Sequence, residues 1–464
     1  MAETTFLTFL IKPGELTLKG GNREGFERVL RRNLVTMLRA RAPGSRLECR
    51  SGRLYVHCPE EKAGGVEAVL ARLMGISGWA RVRGCGKTPG ELLAACVEEG
   101  MALRDGGAAS FKIKARRTDK SFPLSSAGIC AAAGEAVRTR TGLAVRMKNP
   151  GAVISVEIRE RAYVYGTESR GRRGLPVGSA GRGLLLLSGG IDSPVAGILM
   201  AGRGMGLDAA YFHTPPYTSA EALEKTARLA EIIGSYALGV RLYAVNFTGV
   251  QRRIRDRAPP EWSTVLLRMA MMEAASLIAR RTGARCLITG ESLAQVASQT
   301  LENLRCTESR AALPVFRPLI GLDKEAITLL ARDFGTYDTS ILPHPDCCVL
   351  FSPVHPVLRG NPEEAAALYE ALELGKGEAP EPGAEDRIAG AEGRIAGAEP
   401  GGPGSDASGN DPGLIAGAVR AAELRKCGYY SSGAGNSGKP ENSGETGTIP
   451  AGRSNQSGPG RTVP

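Results

Sequence analysis

The sequence lacks three features that would each place the chain in a familiar class of protein. No stretch of its 464 residues approaches the ~20 consecutive apolar residues of a membrane span. Residues 1–20 have no long apolar core, which argues against a signal peptide. No two of the ten cysteines are spaced as C-x-x-C, so a zinc site has little support. We therefore expect a cytoplasmic protein with reduced cysteines, no membrane partner and no metal held by protein side chains alone.

The densest motif lies at residues 184–196, where four leucines precede Ser188-Gly189-Gly190 and then Asp192 and Ser193. The leucines predict a strand buried on both faces, and the residues that follow Asp192 have helical apolar spacing. A strand, a glycine turn and a helix N-terminus together suit an anion, because free backbone N–H groups and the helix dipole meet there. This turn has neither the Gly-Lys-Ser/Thr of a Walker A loop nor three spaced glycines. It resembles the PP-loop of ATP pyrophosphatases; the alternative is an ordinary strand-to-helix turn.

Charge is unevenly distributed along the chain. Residues 1–176 contain 31 Lys/Arg and 17 Asp/Glu, a net charge of +14, whereas the whole chain carries +11, which leaves −3 for the remainder. This imbalance indicates a polyanion-binding module joined to a catalytic domain. A basic surface that only aids solubility remains the alternative.

Apolar patterning predicts several domains. Strands and helices alternate after the leucine strand, which indicates a doubly wound parallel sheet with ligands at the strand C-termini. The first 170 residues predict two smaller α+β units. In the second of these units, a strand is predicted over 110–115, and alternation along residues 111–120 places Lys112, Lys114 and Arg116 on one face, where they could follow a phosphate backbone.

From about Gly375 the composition changes to Gly, Pro, Ala and Glu, with a short internal repeat at 385–399. Too little apolar surface is available there to offset the entropy of ordering, so we predict a disordered insertion over 376–412. A terminal helix is predicted over 413–428, and a disordered tail rich in Gly, Ser, Pro and Asn over 429–464.

Several motifs together resemble one family, the tRNA 4-thiouridine synthases (ThiI). The matching segments lie at 14–27, 111–117, 174–178, 188–193, 213–219, 289–300, 317–324 and 346–348. The resemblance implies a ferredoxin-like domain (1–75), a THUMP RNA-binding domain (76–170) and a PP-loop ATP pyrophosphatase domain (171–375). It covers about residues 5–370. The rhodanese domain that some members carry is not expected after Gly375, and Pro13 stands where an aromatic residue is frequent.

The family's activity is an ATP-dependent transferase reaction on tRNA. The resemblance implies that uridine 8 is adenylated and that its O4 is replaced by sulfur, with ATP and Mg²⁺ as cofactors. It also implies tRNA and a cysteine desulfurase persulfide donor as partners, a sulfur carrier of thiamine thiazole synthesis as a further acceptor, and a homodimer as a candidate assembly. The resemblance also implies that three more residues bind tRNA, in addition to Lys112, Lys114 and Arg116. They are Lys19, Arg23 and Arg117.

The residues expected to contact ATP surround the PP-loop. They are Leu186, Leu187, Ser188, Gly189, Gly190, Asp192, Ser193, Tyr211, Phe212, Arg268, Gly290 and Gln299. Asp192 would organise Mg²⁺ or the loop, unless it is a plain helix N-terminal carboxylate. Phe212 could instead pack in the core.

Sulfur must arrive as a nucleophile, which a thiolate or its persulfide supplies. The resemblance assigns this role to Cys347, next to Cys348; the alternative is a pair of buried apolar side chains. A second thiol would resolve the persulfide, and Cys348, Cys306 and Cys427 are the candidates considered.

Two other classes of function remain open at this point. One is a PP-loop ligase or amidotransferase acting on a small molecule. The other is a non-catalytic THUMP protein that binds RNA or carries sulfur.

Overall fold

The computed structural model describes residues 6–15, 21–50, 52–344, 353–374 and 413–429. All of these fall within the unit Met1–Tyr430. The predicted disordered insertion over 376–412 lies outside the described residues, as does the predicted tail except for Tyr429.

The first region is a four-stranded antiparallel arrangement in the order β2-β3-β1-β4 with two helices packed on it. Leu30, Leu34, Met37 and Leu38 recur at helical spacing on the first helix and are buried against the sheet. Its elements are β1 (Phe6–Pro13), α1 (Arg23–Arg41), β2 (Arg46–Arg50), β3 (Arg53–Pro59), α2 (Ala63–Leu70) and β4 (Ile76–Cys85).

The second region extends the same sheet, because β4 pairs with β1 on one side and with strands of this region on the other. The combined order is β2-β3-β1-β4-β8-β7-β5-β6, with β9 paired to β4. The added elements are α3 (Pro89–Asp105), β5 (Ser110–Arg117), α4 (Ser126–Thr141), β6 (Ala144–Val145), β7 (Ala152–Ile158), β8 (Ala162–Tyr165) and β9 (Ser169–Arg170).

The third region, residues 182–429, is the α/β domain. Its strand order is β14-β13-β10-β11-β12-β15, and the first five strands are parallel. This confirms the doubly wound parallel sheet. Its elements are β10 (Arg182–Leu186), α5 (Asp192–Gly202), β11 (Gly206–His213), α6 (Ala220–Ala237), β12 (Val240–Asn246), α7 (Thr248–Arg257), α8 (Ser263–Thr282), β13 (Leu287–Ile288), α9 (Leu301–Glu308), β14 (Val315–Phe316), α10 (Lys324–Phe334), α11 (Tyr337–Ser340), α12 (Pro362–Ala371), α13 (Leu414–Arg420) and β15 (Glu423–Cys427).

The predicted terminal helix over 413–428 is wrong in its second half. The helix α13 ends at Arg420, and Glu423–Cys427 form β15, which pairs antiparallel with β12. Leu, Arg, Lys and Glu favour a helix locally, but the edge of the parallel sheet offers unpaired backbone groups, and this tertiary pairing overrides propensity. Tyr429, assigned to the tail, packs against the core of the first region and lies 5.9 Å from the Arg41 guanidinium.

The central helix of the α/β domain, α8, is more apolar than the sequence analysis recognised. The helix and the turn before it span Pro260–Thr282, a stretch whose length and composition would be enough to cross a membrane. Its most apolar window is 72% buried inside the domain, where the helix packs in the core with Phe212, Phe247 and Leu184. We therefore interpret it as a core helix.

The segment 171–178 is bonded to both sides that it connects. The Gly75 N–H donates to Arg173 O at 2.7 Å, and the Leu175 N–H donates to Gly202 O at 2.9 Å. Gly174 has φ +67°, and a Cβ there would lie 2.0 Å from Gly202 O, so only glycine fits. Arg172 donates to Ala71 O at 3.0 Å and forms an ion pair with Asp333. The segment is therefore a bonded joint between the first region and the α/β domain.

Candidate active site

The turn between β10 and α5 is shaped by two serine hydroxyls. The Ser188 N–H donates to Ser193 Oγ at 2.9 Å, and the two hydroxyl oxygens lie 3.0 Å apart. The Gly190 N–H donates to Ser188 Oγ at 3.3 Å. Two backbone amides of the predicted anion-binding turn thus donate to serine hydroxyls of the same turn, so the serines order the turn from within.

Gly290, which follows β13, lies directly against the start of α5. A Cβ at this position would be 2.6 Å from Ser193 N and 2.7 Å from Ser193 Cα, distances that backbone atoms cannot relieve. Glycine is therefore required where the two chain segments meet. Gly290 and the turn before α5 are therefore in direct contact, although they are about 100 residues apart in the sequence.

These elements enclose a cavity of about 170 Å³ at the C-terminal ends of β10, β11 and β13. Every predicted ATP-contacting residue except Gly189 lines it, and Gly189 belongs to the same turn. The lining also includes Met271, Met272, Thr289 and Glu291, which the sequence analysis did not select. Ligands of open parallel sheets bind at this edge.

Tyr211 and Phe212 form part of the apolar wall and are also part of the core. Phe212 is buried, and its ring centroid lies 4.7 Å from that of Phe247. Tyr211 is buried, and its ring lies 6.0 Å from the His213 ring at an interplanar angle of 19°. The ring of Phe212 therefore packs in the core and also lines the cavity, and its contact with ATP stays a prediction.

Asp192 is bound by two residues that the sequence analysis missed. Lys324 Nζ lies 2.6 Å from Asp192 Oδ1, and Gln295 Nε2 donates to Asp192 Oδ2 at 2.9 Å. Lys324 begins α10, whose N-cap Asp323 accepts from the Ala326 N–H at 2.8 Å. Asp192 therefore takes part in a charged network at the loop, beyond the role of a helix N-terminal carboxylate. Lys324 lies in the segment 317–324, which matched the family in sequence, but the sequence analysis gave this lysine no role.

Glu291 lies at the centre of a buried charge cluster. It forms ion pairs with Arg268 and with Arg317, the latter at 2.7 Å, and accepts from Thr289 Oγ1 at 2.8 Å. Burial alone would raise the pKa of the Glu291 carboxyl, but Arg268, Arg317 and the hydrogen bonds outweigh it, so the pKa is lowered. The anionic carboxylate holds the Arg268 guanidinium at the cavity wall.

The thiol predictions have two outcomes. Cys347 and Cys348 lie outside the described residues. Cys306 and Cys427 are buried, and burial raises the pKa of each thiol, that of Cys427 to about 11. A resolving thiol must be accessible and readily ionised, so the burial of Cys306 and Cys427 argues against both as resolving candidates.

The predicted RNA-contacting residues are in separate places. On β5, Phe111 and Ile113 are buried while Lys114 and Arg116 are exposed, with Lys112 partly so, which confirms the alternation. Arg117 donates to Phe122 O at 2.8 Å and supports the following turn. Arg23 lies on α1 and is paired with Glu27 at 2.7 Å, and Lys19 lies outside the described residues. β5 is four strands from β1, roughly 19 Å at ordinary strand spacing.

Comparison with known proteins gives three adjoining family matches. A model described as thiamine biosynthesis protein (ThiI) matches residues 178–374. A ThiI ferredoxin-like domain model matches residues 8–80, and a THUMP domain model matches residues 92–166.

Similar proteins cover most of the described chain. A probable tRNA sulfurtransferase of Treponema pallidum (strain Nichols) is 49% identical over 372 residues, which is 79% of this chain and 92% of that protein. One from Caldanaerobacter subterraneus subsp. tengcongensis is 41% identical over 368 residues, 79% of this chain and 96% of that protein. Among solved structures, a 4-thiouridine synthetase in complex with RNA and bound ATP superposes with a TM-score of 0.75 at 29% identity, covering 91% of this chain and 100% of that one.

Proposed function

This chain belongs to the tRNA sulfurtransferase (ThiI) family, and on that premise we propose that it uses ATP to convert uridine 8 of tRNA into 4-thiouridine. The observation that carries the proposal is the cavity at the PP-loop, which Asp192, Arg268 and the Ser188–Ser193 turn line and where Lys324 is paired with Asp192. The superposed structure contains ATP and RNA, which supports both ligands for this chain.

The first step makes the uracil oxygen a leaving group. O4 attacks the α phosphorus of ATP, so an O4–P bond forms, a bond from the α phosphorus to the bridging oxygen breaks, and pyrophosphate leaves. The N3 proton of the uracil is lost to solvent in this step and is regained when 4-thiouridine is released. Lys324 and Arg268 would stabilise the charge that develops on the phosphates, since both cations are held in place by carboxylates before the substrate binds.

The second step delivers sulfur to C4. The terminal sulfur of a Cys347 persulfide adds to C4, and AMP leaves with the former O4. Cleavage of the remaining S–S bond by a second thiol, which forms a disulfide with Cys347, releases 4-thiouridine. Since Cys306 and Cys427 are buried, Cys348 or an external thiol reductant would take this role.

Mg²⁺ fits this site only with help from the nucleotide. Among the described residues, no group of three His, Cys, Asp or Glu side chains could hold a metal ion. Glu291 is buried between two arginines, whereas Asp192 is paired with one lysine and one amide, so Asp192 would hold the ion by exchanging these partners for it, and the phosphates of ATP would supply further ligands.

The remaining assignments complete the proposal. The ferredoxin-like domain spans 1–75, the THUMP domain 76–170 and the PP-loop domain 171–375, and the first two bind tRNA. A cysteine desulfurase supplies the persulfide in the cytosol, and a thiamine-pathway sulfur carrier is a second acceptor, in line with the description of the matching family. Light scattering of the purified protein tests the homodimer.

Mass spectrometry of tRNA nucleosides tests the activity. We expect 4-thiouridine in tRNA from cells that carry the gene and its loss when the gene is deleted. The Cys347→Ser variant should lose thiolation driven by the desulfurase but keep ATP-dependent adenylation of tRNA, measured as tRNA-dependent pyrophosphate release, and Cys348→Ser should be milder. Unchanged 4-thiouridine after deletion would favour a small-molecule ligase or a non-catalytic RNA-binding protein. Normal thiolation by both cysteine variants would refute the persulfide step.

A further inference from the structure

A second cavity of about 630 Å³ opens beside the adenylation cavity. It lies between α7, the turn Pro260–Trp262, the first residues of α8 and the segment 353–355. It is larger than the 170 Å³ cavity at the PP-loop, and nothing in the proposed ATP site uses it.

The two cavities share the helix α8 as a wall. Thr264 and Leu267 line the larger cavity, whereas Arg268 and Met271 line the adenylation cavity. The helix ends just before β13 begins, so it runs opposite to the parallel strands and begins at their carboxyl edge. At about 1.5 Å rise per residue, Thr264 and Arg268 are separated by roughly 6 Å along the helix axis. A group in the larger cavity is thus within reach of a nucleotide at the PP-loop.

The lining suits one unstacked pyrimidine nucleotide. Ile254, Leu267 and Val354 give apolar surface, and the planar side chains of Arg255 and His355 can stack on a base. The Thr264 hydroxyl and the His355 ring make no hydrogen bond to other residues in the described ranges. The volume lies in the usual range for small-ligand pockets.

One further feature matches the uracil ring. The Glu261 carboxylate on the cavity wall can accept from the uracil N3–H, a donor that cytosine lacks. The wall therefore offers the base a hydrogen bond as well as apolar contact.

We propose that this cavity holds the target uridine, extruded from the RNA, with O4 directed along α8 toward the adenylation cavity. The inference rests on the proposed function, because it assigns a place to that reaction's acceptor base. Extrusion costs a few kcal/mol, least where the base is already unpaired.

A cavity-filling variant tests the site. Thr264→Trp should leave ATP binding and tRNA binding within about 2-fold but lower 4-thiouridine formation by roughly 100-fold, because the acceptor is displaced from its reactive position. Arg252→Trp is the matched control, since Arg252 is exposed on α7 outside the cavity, and it should remain active. Full thiolation by Thr264→Trp would overturn the inference.

Photocrosslinking tests the wild-type protein and does not depend on how the variant folds. RNA with 5-iodouridine at the target position, irradiated in the presence of ATP, should crosslink to the tryptic peptide 258–268 or to His355. Crosslinks confined to other segments would contradict the site. The same result is expected if another part of this chain fills the cavity and keeps the uridine out. Wild-type protein that crosslinks here but never forms 4-thiouridine would refute the proposed function and leave the binding site standing.

Discussion

Cations are used in opposite ways on β5 and in the adenylation cavity. Among the described residues, Lys112, Lys114 and Arg116 form no ion pair with a carboxylate, and they project from one face of a strand. In the cavity, Lys324 is paired with Asp192, and Arg268 and Arg317 share Glu291. Exposed cations suit a long polyanion that displaces counterions, whereas paired cations are oriented in advance for one group at one position.

The largest effect is expected from removing the carboxylate at the PP-loop. Asp192→Ala leaves Lys324 and Gln295 without their acceptor and should lower tRNA-dependent AMP formation by about 100- to 1,000-fold. Affinity for tRNA, measured by filter binding, should change by less than about 2-fold, because the β5 face is intact. Asp338→Ala removes an equal charge at an exposed position and serves as the control. Loss of tRNA affinity together with activity would contradict the separation.

The buried cluster should dominate stability. Glu291→Gln leaves Arg268 and Arg317 without a buried counter-charge, and the free energy of unfolding should fall by about 3 kcal/mol in denaturant titrations. Glu308→Gln is the matched control, because Glu308 pairs with the same Arg317 at 2.7 Å but is half exposed, and it should cost well under ~1 kcal/mol. Equal losses of stability in the two variants would show that burial does not decide how much each ion pair with Arg317 stabilises the fold.

The same cluster predicts a pH dependence. Because the folded-state pKa of Glu291 lies below its ordinary 4.5, its stabilisation is fully present above the unfolded pKa and is lost as pH falls through the folded pKa. Unfolding followed below pH 5 should therefore show a shallower loss of stability in Glu291→Gln than in the wild type. An identical pH profile would mean that folding does not lower the pKa of Glu291.

The salt dependence of tRNA binding should distinguish the β5 face from the α/β domain. If four to six phosphates are neutralised, the logarithm of tRNA affinity should fall with the logarithm of salt concentration with a slope of magnitude roughly 3 to 5. Replacing Lys112, Lys114 and Arg116 by alanine should reduce that magnitude by roughly 2.7. Replacing the exposed Arg280, Arg285 and Arg305 of the α/β domain removes the same charge and should leave the slope nearly unchanged. An unchanged slope in the β5 variant would move the footprint to Lys19 and Arg23.

The smallest effect is expected at the C-terminus. Deleting residues 431–464, which are rich in Gly, Ser and Pro, should leave the melting temperature and thiolation unchanged. Deletion from 413 removes α13 and β15 and exposes the edge of β12, so it should lower the melting temperature by several degrees. A large shift from the shorter deletion would refute the predicted tail.

Local patterns predicted the parts of the site that are close in sequence. The buried leucine strand, the serine-glycine turn and the start of α5 are consecutive, so one motif specifies them. Lys324 and Gln295 could not be placed in this way, because the strand order β14-β13-β10 brings them to Asp192 from more than 100 residues away. The wrong prediction of a helix over residues 423–427 has the same origin, since these residues form β15, whose partner β12 lies about 180 residues earlier in the sequence.

One measurement tests the division of labour most directly: the rate of 4-thiouridine formation as a function of tRNA concentration for the two classes of variant. The β5 triple variant should reach the wild-type rate at saturating tRNA, since it weakens binding alone. Asp192→Ala should stay about 100- to 1,000-fold slower than the wild type at every tRNA concentration, since it removes a group needed for adenylation. A β5 variant that stays slow at saturation, or an Asp192→Ala variant rescued by excess tRNA, would contradict the account.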